Sequence, residues 1–193
     1  MGSMDQQLFL ALNFDGGPTL DSFMWWASGK WSWVPLYVFL LLAMKKKLEW
    51  KPFFWALVMI AVCIAINDQV ASGLFKNWIQ RLRPSHEPAL EGLVHLVREP
   101  NGNWYKGGSF GFYSSHAANN AGVACFFLLL MNVREWQKIV MLLFMVLTVG
   151  YSRIYLGVHY PGDILMGFFM GIIIGWLCYQ VYKWGAEKMN LAQ

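Results

Sequence analysis

Five apolar stretches constrain the fold of this chain more than any other feature of its sequence. They cover residues 31–44, 53–70, 117–131, 139–150 and 164–182. The longest ones approach the ~20 residues that a helix needs to cross a membrane. Charged residues make up only 13% of the chain, against about 25% in soluble proteins. The sequence therefore predicts an all-α polytopic membrane bundle of about five transmembrane helices, forming a single membrane-embedded domain over residues 1–193.

The first and fourth stretches are too short to span a bilayer alone. We expect aromatic neighbours to extend them, namely Trp25, Trp26, Trp136 and Tyr151. Lys30 is interpreted as a lysine that snorkels to the interface, and Gly29 beside it predicts a break after a short helix around residues 20–28. Residues 6–14 are amphipathic and too short to cross the bilayer. We therefore predict that residues 1–30 form an interfacial segment with short helices.

Basic residues predict the orientation of the chain. They concentrate between alternate apolar stretches and after the last one, as Lys45, Lys46, Lys47, Lys51, Arg134, Lys138, Lys183 and Lys188. The positive-inside rule places these residues on the cytoplasmic side. The loops 76–115 and 152–160 are then expected to face outward, together with the N-terminus.

Charge and cysteine content argue against several other classes of protein. The net charge of +4 is divided between the two faces, without the basic stripe of a nucleic-acid-binding protein. Cys63, Cys125 and Cys178 fall in different apolar stretches with no CxxC spacing. We expect them to be buried apolar residues, with no disulfide and no metal site.

Four polar residues fall within or near the predicted spans. Asn67 and Asp68 lie near the end of the second stretch, and Asn119 and Asn120 lie one turn into the third. A carboxylate inside a membrane is costly. Asp68 is therefore expected either to bridge helices near the interface or to pair with a nearby cation. The two later asparagines are expected to line a pocket or to bond to neighbouring helices.

A lysine and an arginine follow the second apolar stretch in the pattern K-x6-R-P, formed by Lys76, Arg83 and Pro84. Seven residues are close to two helical turns, so both side chains project from one face if the helix continues past its apolar part. Pro84 would then end the helix. Two cations so placed suit a dianion such as phosphate. The alternative is a snorkelling pair at a helix end.

Two serines and a histidine, Ser114, Ser115 and His116, directly precede the third apolar stretch. One of the serines is expected to cap the helix, and the free amides of a helix start attract anions. His116 would lie at the edge of that anion site. An ordinary helix cap with a hydrogen-bonded histidine is the alternative.

The last cluster has the pattern S-R-x5-H-x3-D, formed by Ser152, Arg153, His159 and Asp163. Pro161 fits the first position of the last helix, which places Asp163 in its first turn. From there the carboxylate can accept a hydrogen bond from one ring nitrogen of His159 and leave the other nitrogen free as a nucleophile. A capped helix start with a bystander histidine is the alternative.

Together these clusters resemble the signature of the type-2 phosphatidic acid phosphatase superfamily, K-x6-R-P, P-S-G-H and S-R-x5-H-x3-D. The first and third motifs match in full. In the second, Tyr113 stands at the proline and Ser115 at the glycine. A serine with negative φ still presents its backbone amide. The departure therefore affects the shape of the loop more than its chemistry.

The resemblance implies a phosphatase that needs neither metal nor cofactor and acts on a phosphomonoester or diphosphate of a membrane lipid. His159 would attack phosphorus, Asp163 would orient it, and His116 would protonate the leaving oxygen and later activate water. The phosphate oxygens would be held by Lys76, Arg83, Ser114, the amide of Ser115, and Arg153. Resemblance to bacterial members implies an inner-membrane protein with loop 76–115 on the periplasmic face as its active-site loop.

The sequence leaves the substrate open, and three other functions stand as alternatives to hydrolysis. Bacterial members act on undecaprenyl diphosphate, phosphatidylglycerophosphate, phosphatidic acid or lipid A phosphates. The shortness of loop 76–115 favours an isoprenoid or glycerolipid phosphate over a large glycolipid. An anion or lipid transporter would place its charges near the bilayer midplane, and a non-catalytic lipid-phosphate-binding protein would have degraded motifs. A vanadate-dependent haloperoxidase shares the motifs but is typically soluble.

Overall fold

Helices make up nearly all the regular secondary structure of the residues described by the computed structural model, which are 3–29 and 31–190. The α-helices are α1 (Met4–Leu12), α2 (Gly17–Ser28), α3 (Val34–Lys47), α4 (Trp50–Asp68), α5 (Lys76–Ile79), α6 (Ser115–Met131), α7 (Glu135–Met145), α8 (Tyr151–Tyr155) and α9 (Pro161–Lys188). The all-α prediction is confirmed. Lys30, interpreted as a snorkelling lysine, lies outside the described residues.

Among the described residues, two continuous helices are long and apolar enough to cross a membrane. Trp50–Ile79 has 30 residues, because a π-helical segment, Gln69–Phe75, joins α4 to α5, and α9 has 28 residues. The apolar helix α6 is shorter, with 17 residues. The protein is an integral membrane protein, and the count of about five spans stays a prediction.

The aromatic residues that flank the first and fourth apolar stretches differ in whether they extend the helix beside them. Helix α7 continues through a π-helical segment, Val146–Gly150, into α8. Trp136 and Tyr151 therefore extend the fourth stretch, as predicted. Trp25 and Trp26 belong to α2 instead, so the prediction that they extend the first span is wrong. The cause is the break at Gly29, whose extended backbone (φ −73°, ψ 140°) ends α2 as the sequence indicated.

Helices α6 and α9 touch through their backbones along a row of glycines, Gly167, Gly171 and Gly175, which we call the glycine seam. A Cβ atom added to Gly171 would lie 2.2 Å from the carbonyl oxygen of Ala118, and one added to Gly175 would lie 2.3 Å from that of Gly122. Small residues at four-residue spacing permit such contact between membrane helices. The seam holds the start of α6 against the start of α9.

The N-terminal helices dock on the end of the bundle where α6 and α9 begin. Asn13 donates from its amide nitrogen to the carbonyls of His95, Ile154 and Tyr155, and accepts from the backbone N–H of His95. The ring of His95 lies 2.9 Å from a carboxylate oxygen of Asp21. Residues 3–29 are therefore part of the packed structure at this end of the molecule.

Candidate active site

A cavity of about 880 Å³ brings together most of the predicted phosphate-binding and catalytic residues. One end, which we call the phosphate end, is formed by Lys76, Arg83, Ser115, His116, Arg153 and His159. The rest of the wall is mostly apolar and extends between helices as far as Met44, near the C-terminal end of α3. The cavity therefore offers cations and imidazoles at one end and hydrocarbon contacts along the rest.

His159 lies in the connection between α8 and α9 and is almost fully buried, with 1% of its surface exposed. Burial, together with the positive charges of Arg83, Arg153 and Lys76, lowers the pKa of His159 well below its usual value of 6.5. The imidazole is therefore neutral at neutral pH. A histidine must be neutral to act as a nucleophile.

Asp163 lies directly behind His159 in the first turn of α9, as predicted. Its Oδ2 accepts from the backbone N–H of Tyr160 at 3.0 Å. The Nδ1 of His159 is 3.5 Å from the same oxygen, which is longer than a normal hydrogen bond. The two side chains are thus adjacent but not hydrogen-bonded. Catalytic hydrogen bonds are often long before substrate binds.

Arg81 supplies the charge that balances the buried carboxylate of Asp163. Its Nη1 donates to Asp163 Oδ1 at 2.8 Å, and its Nη2 donates to Asp5 at 2.7 Å. Asp5 also accepts from the backbone N–H of Gly162 at 2.9 Å. The guanidinium lies over the ring of Tyr160, 4.0 Å from its centre. We call this arrangement the Asp5–Arg81–Asp163 bridge.

Arg83 reaches the phosphate end from an extended segment. The helix ends at Ile79 because Gln80 adopts a left-handed conformation (φ 50°), and Arg83 is extended (φ −70°, ψ 156°). The prediction that Lys76 and Arg83 share one helical face is therefore wrong. The two residues still line one cavity, because the chain turns back after Gln80.

The guanidinium of Arg83 is fixed by backbone carbonyls. Its Nε donates to Phe110 at 3.1 Å, and its Nη1 is 3.5 Å from the carbonyl oxygen of Val158. Burial and the neighbouring Arg153 lower the pKa of Arg83 to about 10, so the side chain remains charged at neutral pH. The fixed orientation leaves Nη2 available to an anion.

Lys76 is held by two serines. Its Nζ donates to Ser72 at 3.1 Å and to Ser115 at 2.9 Å, and the two hydroxyl oxygens lie 3.2 Å apart. Ser115 stands where the family signature has glycine. Its hydroxyl therefore adds a contact to Lys76 that a glycine would lack.

Arg153 is buried and reaches the cavity from α8. Its Nη1 donates to Ser28 Oγ, and its Nη2 donates to the hydroxyl of Tyr105 at 3.0 Å. Its Nε has no hydrogen-bond partner among the described residues. Helix α2, which carries Ser28, therefore contributes directly to the wall of the phosphate end.

Ser114 is fully buried and caps α6, with its hydroxyl accepting from the N–H of Ala117 at 3.4 Å. Its own N–H donates to the backbone carbonyl of Asp163 at 3.1 Å. The residue does not line the cavity, so its predicted contact with phosphate stays a prediction. Tyr113, at the position of the signature proline, is fully buried and packs against Phe75.

Several residues of the site were missed by the sequence reasoning. Arg81 lies inside the first motif but at a position that the spacing does not mark. A Cβ atom on Gly111 would lie 3.0 Å from Asp163 Oδ2, so this loop residue closes over the carboxylate. A Cβ on Gly107, which has φ +64°, would lie 2.7 Å from Arg83. The glycines between Lys106 and Phe112 were the available signal.

A separate group of side chains lies outside the phosphate end. Asp15, Asp21 and His95 place three potential ligand atoms within 4.8 Å of one another. These atoms already have partners, since Asp15 accepts from the N–H of Gly17 and Asp21 accepts from the hydroxyl of Tyr155. The expectation that hydrolysis needs no metal stays a prediction.

The chain is similar in sequence to known phosphatases. The sequence profile of the PAP2 superfamily matches residues 52–186. A lipid A 4'-phosphatase from Bacteroides thetaiotaomicron is 39% identical over 180 residues, which cover 93% of this chain and 77% of that protein. A lipid A 4'-phosphatase from Porphyromonas gingivalis is 32% identical over 185 residues, covering 96% and 75%.

A solved structure shows the same fold. The transmembrane PAP2-type phosphatidylglycerolphosphate phosphatase from Bacillus subtilis superposes with a TM-score of 0.59 and 26% identity, covering 96% of this chain and 86% of that chain. The likeness therefore extends over nearly the whole of this chain.

Proposed function

We propose that this protein, which belongs to the PAP2 superfamily and is a lipid phosphatase, removes a phosphate from a lipid A-type glycolipid. The reaction proceeds through a phosphohistidine on His159. The single observation that carries the proposal is the cavity. It joins a cationic, histidine-containing end to a long apolar wall. A substrate that fills it must have a phosphate attached to a hydrocarbon body.

In the first step His159 is the nucleophile. Its Nδ1 faces Asp163, which leaves Nε2 for phosphorus. As the N–P bond forms, the bond between phosphorus and the lipid oxygen breaks, and that oxygen takes a proton from His116. Asp163, held by Arg81, stabilises the positive charge that develops on the imidazole.

In the second step a water molecule attacks phosphorus on the phosphohistidine. His116, now neutral, removes a proton from this water. The N–P bond breaks, inorganic phosphate leaves, and His159 returns to its neutral form. His116 thus gives up a proton in the first step and regains one in the second, while His159 carries the phosphoryl group between them.

The phosphoryl oxygens carry most of the charge in the transition state. Lys76, Arg83 and Arg153 provide three cations around them, and the amide of Ser115 at the start of α6 provides a backbone donor. Ser114 supports this loop as the helix cap. Because these groups are fixed before substrate arrives, little reorganisation is needed at the moment of reaction.

Sequence relatives favour a glycolipid substrate. Two relatives named lipid A 4'-phosphatase share 39% and 32% of their aligned residues with this chain over nearly its whole length. The shortness of loop 76–115 favoured an isoprenoid or glycerolipid phosphate instead. Loop length is the weaker argument, because the apolar wall that would contact the lipid is formed mainly by residues of the helices.

The proposed orientation places the phosphate end at the periplasmic face of an inner membrane, within one domain over residues 1–193. Lys45, Lys46 and Lys47 lie at the C-terminal end of α3. Lys47 donates to the carbonyls of Leu130 and Met131 at the last turn of α6. Since α6 begins at the phosphate end, this lysine cluster lies at the opposite end of α6. We assign that end to the cytoplasmic side.

The family and the intact motif residues favour catalysis over the transporter and the non-catalytic alternative. The direct test is phosphate release from purified lipid A, phosphatidylglycerophosphate, phosphatidic acid and undecaprenyl diphosphate. We expect kcat/KM to be at least about tenfold higher for lipid A. Loss of the 4'-phosphate would be read by mass spectrometry of the product. A higher kcat/KM for another lipid would overturn the proposed substrate.

The same assay with His159→Ala tests the mechanism. We expect the rate to fall by about 10³-fold or more, because the nucleophile is gone. Labelled substrate should leave an acid-labile phosphoryl group on wild type but not on the variant. His86→Ala is the matched control, since His86 lies in the long loop and bonds to Ser85. A near-normal rate in His159→Ala would exclude the phosphohistidine.

A further inference from the structure

Two pairs of polar residues connect the long helix Trp50–Ile79 to α6 at successive depths in the cavity. The upper pair is Ser72 and Ser115, whose hydroxyl oxygens are 3.2 Å apart and which both accept from Lys76 Nζ. The ammonium group of Lys76 therefore lies at the level of Ser72. This level marks the lower boundary of the phosphate end.

The lower pair is Asp68 and Asn119, each four residues further from the phosphate end than its counterpart. Asn119 Nδ2 donates to Asp68 Oδ1 at 2.9 Å. Four residues are about one helical turn, or ~5.4 Å along the axis. Both side chains line the same cavity as His116 and His159. We call this pair the lower rung.

The lower rung presents the carboxylate of Asp68 to the cavity. Asp68 is exposed and lines the cavity, and a carboxylate accepts about four hydrogen bonds and donates none. One of these bonds is already supplied by an N–H of the Asn119 amide, which holds the carboxylate in place. The Oδ1 of Asn119 is enclosed and has no partner among the described residues. A ligand group that bonds to Asp68 must therefore donate.

A carboxylate in a membrane-spanning helix costs free energy unless a cation or a hydrogen-bond donor interacts with it. Suppose that a lipid binds with its phosphate at Lys76 and its chains along the apolar wall. The part of the lipid that joins the phosphate to the chains then lies beside the lower rung. In a glycolipid this part carries hydroxyl and amide N–H groups. In phosphatidic acid it carries only ester oxygens, and in an isoprenoid phosphate it is hydrocarbon.

We infer that Asp68 and Asn119 form a specificity subsite that binds hydroxyl or amide N–H groups adjoining the phosphate of the substrate. The inference rests on the proposed function and refines its substrate class to lipids with such donors. It also gives Asp68 a role beyond bridging two helices. Pairing with Lys76 is the competing explanation, and it predicts an equal loss for every phosphate substrate.

The test compares two lipids with matched chains. Ceramide 1-phosphate carries a hydroxyl and an amide N–H near its phosphate, whereas phosphatidic acid carries neither. We expect Asp68→Asn and Asn119→Ala to lower kcat/KM for ceramide 1-phosphate by about 10- to 100-fold, as expected when a charged or buried hydrogen-bond partner is removed. Hydrolysis of phosphatidic acid should change by less than about threefold in both variants.

The matched control is Glu49→Gln, which neutralises an exposed carboxylate at the other end of the same helix. It should leave the ratio of the two kcat/KM values unchanged. Unchanged thermal melting of Asp68→Asn and Asn119→Ala would show that both fold. Equal losses for both lipids, or no loss for either, would overturn the inference.

A binding measurement separates this inference from the proposed function. The affinities of both lipids are measured on His159→Ala, with and without Asp68→Asn, so no turnover is required. Selective loss of ceramide 1-phosphate binding supports the subsite even if lipid A proves to be a poor substrate. Equal affinities with and without Asp68→Asn reject the subsite even if lipid A is hydrolysed.

Discussion

In the phosphate end and the adjoining Asp5–Arg81–Asp163 bridge, charged side chains are held in place by hydrogen bonds to other groups, whereas along the glycine seam two helix backbones touch with no side chain between them. Arg81 and Arg83 each make two or more polar contacts. Gly171 has no room for even one further carbon atom. The first region holds reactive groups in place, and the second fixes the distance between the helices that carry them.

This difference predicts two kinds of mutational effect. Changes in the phosphate end should alter activity while leaving the bundle folded, because other polar contacts remain. Changes in the glycine seam should unfold the bundle, although the seam contains no reactive group.

Gly171→Leu should have the largest effect and should prevent most of the protein from folding. Its Cβ would meet the carbonyl oxygen of Ala118 at 2.2 Å, and a backbone atom cannot rotate away. Overpacking costs ~1–3 kcal/mol in ordinary cores, and we expect more here. The measurement is melting temperature and yield of monodisperse protein in detergent.

Gly73→Ala is the control for this variant. Its Cβ would meet only the end of the Gln69 side chain, at 3.0 Å, which is flexible. We expect normal yield and melting. A Gly171→Leu protein that melts like wild type would show that the seam is not required for stability, and the comparison between the two regions would then fail.

Arg81→Ala should lower kcat by about 10- to 100-fold while changing KM little. Removing Arg81 leaves Asp163 buried without its counter-charge, and the carboxylate no longer holds a fixed position behind His159. Arg81→Lys should restore part of kcat, and Asp5→Asn should have a smaller effect because it removes only the outer contact of the bridge. Steady-state kinetics measure all three.

The split between kcat and KM decides whether Arg81 acts through Asp163. A large rise in KM with unchanged kcat would mean that Arg81 binds substrate directly. A collapse in melting temperature that Arg81→Lys does not repair would mean that the bridge serves stability alone. Either result would show that Arg81 does not act by positioning Asp163.

The pH dependence of kcat/KM should be bell-shaped, with an acid limb below pH 6.5. Burial and nearby cations lower the pKa of His159, so the nucleophile stays neutral below the usual value. His116 must be protonated in the first step and sets the alkaline limb. A flat profile, or an acid limb above pH 6.5, would contradict this assignment.

The same shift predicts how stability depends on pH. The folded protein resists protonation of His159, so below pH 6.5 the unfolded chain binds more protons at this residue. Stability should therefore fall as the pH drops through 6.5. His159→Ala should remove this part of the dependence, which thermal melting in a series of buffers would show.

EDTA should have the smallest effect and leave kcat/KM unchanged. The proposed reaction uses side chains for every proton transfer, and side chains and one backbone amide for every contact with phosphate. Loss of activity restored by one particular metal would contradict it. Asp21→Asn would then show whether the group of Asp15, Asp21 and His95 holds that metal.

The sequence predicted the helices and the reactive residues better than the contacts between them. Apolar length alone indicated α4, α6 and α9, because a bilayer requires long apolar helices. Pro161 marked the start of α9 and so placed Asp163 correctly in its first turn. These features depend on local sequence, which can be read directly.

Features that depend on the path of the backbone could not be predicted. The left-handed conformation of Gln80 separates Arg83 from the helix that carries Lys76, and no residue type at that position signals it. The role of Arg81 depends on Asp5, which is distant in sequence. The glycine seam was readable as a four-residue repeat from Gly167 to Gly175, but its partner helix was not.

The Asp5–Arg81–Asp163 bridge also bears on the order in which the enzyme is made. Asp5 and Gly162 are 157 residues apart, so the ribosome must synthesise all the residues between them before α9 can meet α1. Until α9 has been inserted, its first turn cannot receive the contact from Asp5, and the carboxylate behind His159 is not in place. A chain interrupted before Gly162 therefore carries no assembled nucleophile.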